Sequence, residues 1–288
     1  MPYIDRETRL ALLSTTVTSN PITFYENSRH QESMFPLRDH NPSNRTPYVT
    51  YALLTLNICI FLLCLPLYAD NDALHHLFVS WGVVPREIIA GSQWQTLISS
   101  MFLHGGFLHL LGNMLFLHIV GDNIEDQMGH WPFLGFYLAT GIIASMTQVL
   151  WSPSSAIPMI GASGAVAGVM GSYLLLFPKA RIDILFILVI FFRVFSIPAW
   201  ICLGIWLTLQ FVNGLAATSA SGGVAYWAHA GGFIAGVVVS IPLWLRLGGT
   251  AFWYRNEGHP PHKEAEYQLF SSGVPKVRNK SQRAPYRR

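Results

Sequence analysis

The chain has 288 residues, 51% of them hydrophobic and 11% charged, with a formal net charge of +3. A soluble domain carries about 25% charged residues, so the composition excludes an ordinary soluble fold and points to a polytopic membrane protein. At about 20 residues per span, the length suits one all-α bundle of six membrane helices with two tails. The slight positive balance calls for no nucleic-acid partner.

The segment 1–47 is polar and mixes acids (Asp5, Glu7, Glu26, Glu32, Asp39) with arginines. A transit peptide would be poor in acids and a signal peptide would carry an apolar core, so a cytosolic tail is expected here. Six apolar stretches follow, at about 48–68, 102–121, 132–150, 159–177, 197–213 and 224–245. Pro132, Pro158 and Pro198 stand at or just before span starts, where a missing N–H matters least. The loop after the first span carries Trp81, Trp94, Phe102 and Phe107, an aromatic set suited to the membrane interface.

The apolar piece 184–192 is only about nine residues long, too short to span as a helix. It is expected to lie along the interface or against the bundle before the fifth span. Basic residues then orient the chain. Arg38, Arg45, Lys179, Arg181, Arg193, Arg246, Arg255 and Lys263 fall on one side, and the opposite loops hold Arg86. Both termini are therefore expected in the cytosol. The region 246–288 is basic and expected to be a disordered cytosolic tail, with weak attraction to anionic lipid.

Cys59, Cys64 and Cys202 all fall in apolar stretches and form no CxxC. No redox site, metal site or cofactor is expected from them.

The chemistry gathers on one leaflet. Spans two, four and six enter from the outer face, and each carries polar residues near that entry: His104, His109 and Asn113, then Ser163, then His229. Ser163 and His229 are each expected about 6–8 Å below their helix starts. Gly161, Gly164, Gly168 and Gly171 in span four, and Ala225, Gly232, Gly236 and Ser240 in span six, form small-residue faces that admit close backbone contact. A hydrogen bond between Ser163 and His229 then makes a nucleophile and its base. His109 and Asn113, spaced i and i+4, share a face and can donate hydrogen bonds to an oxyanion together with the Ser163 backbone N–H. Asp122, Glu125 and Asp126 sit at the other end of span two. The pair is therefore a dyad, with His229 oriented by packing or by a neutral partner.

Those residues resemble a known family. His104-x4-His109-x3-Asn113, Gly161-x-Ser163-Gly164 and Ala228-His229-x-x-Gly232-x3-Gly236 are similar, in order and in span, to the motifs of rhomboid intramembrane serine proteases. The resemblance covers about 48–245 as a six-span catalytic domain. It implies that Ser163 is the nucleophile, His229 the general base, His109 and Asn113 the oxyanion support, and His104, Gly161, Gly164, Gly232 and Gly236 structural neighbours of the site. It also implies single-pass membrane proteins as substrates, membrane lipids as surroundings and, for a six-span core, a bacterial inner membrane. Two positions depart from the family. Trp94-Gln95 stands where Trp-Arg is common. Ala167 stands where some members stack an aromatic on the histidine, so either another ring holds His229 or the dyad is looser.

A competing reading is an inactive rhomboid-like protein that binds membrane clients, against which Ser163 and His229 are both retained. A transporter is disfavoured by the lack of inverted repeats and of ionisable residues at the midplane. Span five and the Gly/Ser/Ala-rich loop 213–223 are expected to move as a lateral gate, with a plain flexible connector as the alternative.

Overall fold

The computed structural model describes residues 33–39, 43–188, 191–217 and 224–261, with backbone alone for 33–39, 185–188 and 191–193. Five helices among these are long and apolar enough to cross a membrane. They are α1 (Tyr48–Cys64, continued by a 3-10 turn to Ala69), α5 (Phe107–Met128), α6 (His130–Trp151), α8 (Ala199–Ala216) and α9 (Tyr226–Leu247). Short helices α2 (Asn71–Trp81), α3 (Pro85–Ile89) and α4 (Thr96–Ser99) fill the first loop. Trp81 and Trp94 are more than half exposed there, as interfacial aromatics should be.

The fourth expected span is α7 (Ser163–Leu176), and it is shorter than expected. Fourteen residues reach about 21 Å, against a hydrocarbon core of roughly 30 Å. None of its residues is exposed, so other helices surround it rather than lipid. The stretch 159–162, expected to be helical, is not. Pro158 has no N–H and disfavours a helical residue before it. The Met159 and Gly161 N–H groups go to the carbonyls of Val83 (2.8 Å) and Ser100 (2.9 Å). Gly161 has φ of +126°, a conformation that side chains with a Cβ avoid. Ser163 consequently begins its helix instead of lying a turn inside it.

α7 and α9 pack with backbones in contact. A Cβ on Gly232 would overlap the Gly164 carbonyl, and one on Gly236 the Gly168 carbonyl. This is the close approach that small residues permit in an apolar medium. Deeper along the same seam, Ser240 donates its hydroxyl proton to Ser172, at 2.7 Å. At the far end of α5, buried Glu125 accepts hydrogen bonds from the N–H groups of Val49 (2.9 Å) and Thr50 (2.7 Å) and from the Thr50 hydroxyl (2.7 Å). Its Oε1 also lies 2.5 Å from Nδ1 of His130. One carboxylate thus caps the first turn of α1 and ties three helices together.

The all-α expectation needs one addition. Strands β1 (Ser33–Asp39), β2 (Arg181–Leu188) and β3 (Phe191–Pro198) form an antiparallel sheet in that order. The described residues of 184–192 therefore fall in the paired strands β2 and β3, residues 189–190 lying outside the described part, and 33–39, expected as polar tail, is the third strand of the sheet. A short run of Ile, Phe and Val satisfies strand and buried-helix patterns alike, and strand pairing decides it. Arg181 lies opposite Pro198, and Ala199 N–H donates to the Ala180 carbonyl at 2.8 Å. The chain therefore leaves α7 and enters α8 at one level. α8 runs back toward the Ser163 end, and α9 starts there.

The C-terminal boundary also differs. Residues within the expected disordered tail form α10 (Thr250–Asn256). Phe252 is buried, and Trp253 Nε1 donates to the Leu175 carbonyl at 2.9 Å. Residues 1–32 and 262–288 lie outside the described part.

Candidate active site

The two helix starts bring their polar groups together. Ser163 is the first residue of α7, and His229 lies in the first turn of α9. Ser163 Oγ stands 2.7 Å from His229 Nε2, although the residues are 66 apart in sequence. The glycine contacts along α7 and α9 explain the distance, because a wider helix separation would exceed the reach of two short side chains.

His229 is held from its other side by α8. Its Nδ1 lies 2.9 Å from Oε1 of Gln210, a buried residue. Trp206, one turn earlier on α8, lies against the imidazole with ring centroids 5.8 Å apart and a tilt of 33°. Here is the ring whose absence at Ala167 left the histidine's support open, and it comes from span five. Nothing in the sequence singles out either residue. Trp206 and Gln210 are spaced i and i+4 in an apolar helix, a pattern that reads as packing with one interhelical hydrogen bond. Their pairing with His229 is visible only across helices.

His109 approaches Ser163 by way of Gly161. A Cβ on Gly161 would lie 2.7 Å from His109 Nε2 and 3.6 Å from Ser163 Oγ. Only a glycine leaves the imidazole edge and the hydroxyl open to a common space. The Gly105 N–H donates to His109 Nδ1 at 3.2 Å. In a neutral ring this leaves the proton on Nε2, the atom nearer Ser163, an assignment drawn from the hydrogen bond. His104 precedes α5 and is buried. Its ring meets His109 edge-on at 5.2 Å, and its carbonyl accepts the Tyr68 hydroxyl. Asn113, one turn below His109, is 7% exposed, and its Nδ2 has no hydrogen-bond partner. A buried amide N–H₂ without an acceptor is costly unless something else uses it.

A narrow cavity opens beside Ser163, between α6, α7 and the start of α9. Ser100, Gly141, Ser145, Gly161, Ser163 and Ala228 are among its lining residues. Gly164, Gly232 and Gly236 serve the helix contacts and offer no polar side chain. Among the described residues no group of three His, Cys, Asp or Glu is placed to hold a metal ion.

The family model for the Rhomboid domain matches residues 91–246, more than half of the chain. The chain is 36% identical over 131 residues to the rhomboid protease GluP of Bacillus subtilis, covering 46% of this chain and 25% of that protein. It is 31% identical over 201 residues to the mitochondrial Rhomboid protein 1 of Saccharomyces cerevisiae, covering 66% and 51%. It is 35% identical over 86 residues to the putative rhomboid protease YdcA of Bacillus subtilis, covering 30% and 43%. The chain thus spans from a quarter to about half of the length of these relatives. The helices, the motifs and the family match agree on an integral, multi-pass membrane protein, and the chain belongs to the rhomboid family.

Proposed function

We propose that this chain is an intramembrane serine endopeptidase, with Ser163 as nucleophile and His229 as general base. The observation that carries the reading is the 2.7 Å contact between Ser163 Oγ and His229 Nε2. In the first step the Ser163 hydroxyl proton passes to Nε2 as Oγ bonds to the scissile carbonyl carbon. The carbonyl oxygen becomes an oxyanion, stabilised by Nε2–H of His109, the Asn113 amide and the Ser163 backbone N–H. Cleavage of the C–N bond returns the proton from Nε2 to the leaving nitrogen. A water then loses a proton to Nε2 and attacks the ester carbon. Ser163 leaves and recovers its proton.

Single-pass membrane proteins are the substrates this site fits. A helical substrate hides its carbonyls in i to i−4 hydrogen bonds, so it must unwind before attack, and segments with Gly or Pro do so most easily. Entry is from the side of α8. That helix exposes Ile205, Leu209, Val212 and Leu215, and it meets the site through Trp206 and Gln210. Of the loop 213–223, residues 218–223 lie outside the described part.

The basic residues support an orientation with both termini in the cytosol and the site on the opposite face. The domain reading is a catalytic unit at 48–245, to which α10 (Thr250–Asn256) adds a short helix from the segment 246–288, with the rest of 1–47 and 246–288 as cytosolic segments. The six-helix core favours a bacterial inner membrane. The relatives include a mitochondrial protein as well as bacterial ones.

Co-expression with a panel of single-span membrane proteins tests the reading. Wild type should cleave at least one of them and Ser163→Ala none. Cleavage that persists in Ser163→Ala would refute the nucleophile. A wild type that neither cleaves nor takes a fluorophosphonate label would leave the client-binding alternative.

A further inference from the structure

We infer that Gln210 on α8 is the third member of the site, a neutral positioning residue that sets the tautomer and angle of the His229 ring. The inference rests on the protease reading above and adds to it a residue outside the three sequence motifs.

Oxygen and nitrogen of a glutamine side chain are told apart by what they bond. Gln210 Nε2 faces the Trp206 carbonyl at 3.3 Å, and a carbonyl only accepts, so this end is the N–H₂. The other end, Oε1, faces His229 Nδ1 at 2.9 Å and can only accept. The proton of the neutral imidazole therefore sits on Nδ1. Nε2 is left with its lone pair toward Ser163 Oγ, 2.7 Å away. One helix carbonyl thus decides, through Gln210 and His229, which atom is free to take the serine proton.

An amide suits this place physically. A carboxylate in the same position would be a charge inside an apolar bundle, and leaving it unpaired there is expensive. Glutamine supplies the orienting oxygen without that charge, as asparagine does beside the histidine of papain-like cysteine proteases. Trp206 from the same helix restricts the ring from its face. Both holds on His229 therefore come from α8, and His229 is oriented when that helix is seated.

Fluorophosphonate labelling of the full-length protein in detergent tests this directly, because it reports attack by the serine without a natural substrate. The maximal labelling rate and the half-saturating probe concentration are measured for wild type, Ser163→Ala, Gln210→Met and Gln210→Glu. Met matches Gln in length and packing but offers no acceptor at the Nδ1 position. Glu keeps an acceptor oxygen whether or not it is protonated. Gln210→Met should lower the maximal rate at least about tenfold with half-saturation changed less than about twofold, the size of effect that orienting partners exert. Gln210→Glu should recover most of the rate. The inference is overturned if Gln210→Met labels at the wild-type rate while Ser163→Ala takes no label. It is equally overturned if the Glu and Met variants are slowed alike, since lost packing would then explain both. A wild type that takes no label refutes the protease reading, and this inference with it.

Discussion

Gly236 of α9 sits directly on the carbonyl of Gly168 of α7, so closely that a single added Cβ would overlap that oxygen. The contact lies below the site, yet it sets the distance across the site. Gly236→Val must push the two helices apart, and with them Ser163 and His229. Overpacking of this kind costs about 1–3 kcal/mol in a tight core. The expected result is a lower melting temperature together with a loss of fluorophosphonate labelling. Labelling at the wild-type rate would show that the helix contact does not govern the serine–histidine distance.

His109→Ala removes an imidazole whose Nε2 edge faces the space beside Gly161 and Ser163. Loss of one oxyanion donor lowers the rate by about 10²–10³. Cleavage of a single-span substrate should fall by that order while the protein melts close to wild type. Asn113→Ala should do the same if the partnerless Nδ2 serves the oxyanion. An Asn113→Ala protein with full activity would reduce that residue to a packing role.

Glu125→Ala is expected to behave in the opposite way. The change strips acceptors from two N–H groups and one hydroxyl at the start of α1. Each hydrogen bond to a charged group is worth about 1.5–3 kcal/mol. Stability should drop clearly in thermal unfolding, whereas labelling of Ser163 below the melting range should be unchanged. Sixteen residues of α5, about 24 Å, separate Glu125 from His109.

Membrane orientation can be read with single cysteines in a background lacking Cys59, Cys64 and Cys202. Trp131, exposed at the start of α6, and Lys179, after α7, should react with a membrane-impermeant thiol reagent from the cytosolic face. Ile157, exposed between α6 and α7, should react from the outer face. Reaction of all three from one side would contradict the alternation of spans on which the site depends.

Much of the site could be read along the chain because polar groups in apolar helices stand out. Ser163, His229, His109 and Asn113 have no cheap place in lipid, and their spans enter from one face, so their convergence follows from topology. The glycines at 164, 168, 232 and 236 announced a close helix pair for a similarly simple reason: nothing else lets backbones touch. Other features resisted such reading. The run 181–198 has the composition of either strand or buried helix, and strand pairing, β2 with β3 and β2 with 33–39, separates them. The helical start at Ser163 depends on Val83 and Ser100 capturing backbone N–H groups from far up the chain.

The division has one physical root. Periodicity, charge and the cost of burying polar groups act residue by residue, so the spans, the expected orientation and the candidate serine–histidine pair are written locally. The hold on His229 is a relation among Trp206, Gln210, His229 and Ser163 on three helices, with hydrogen bonds of 2.7–3.3 Å. A glutamine and a tryptophan one turn apart carry no mark of that relation until packing of α8 against α9 places them on the imidazole.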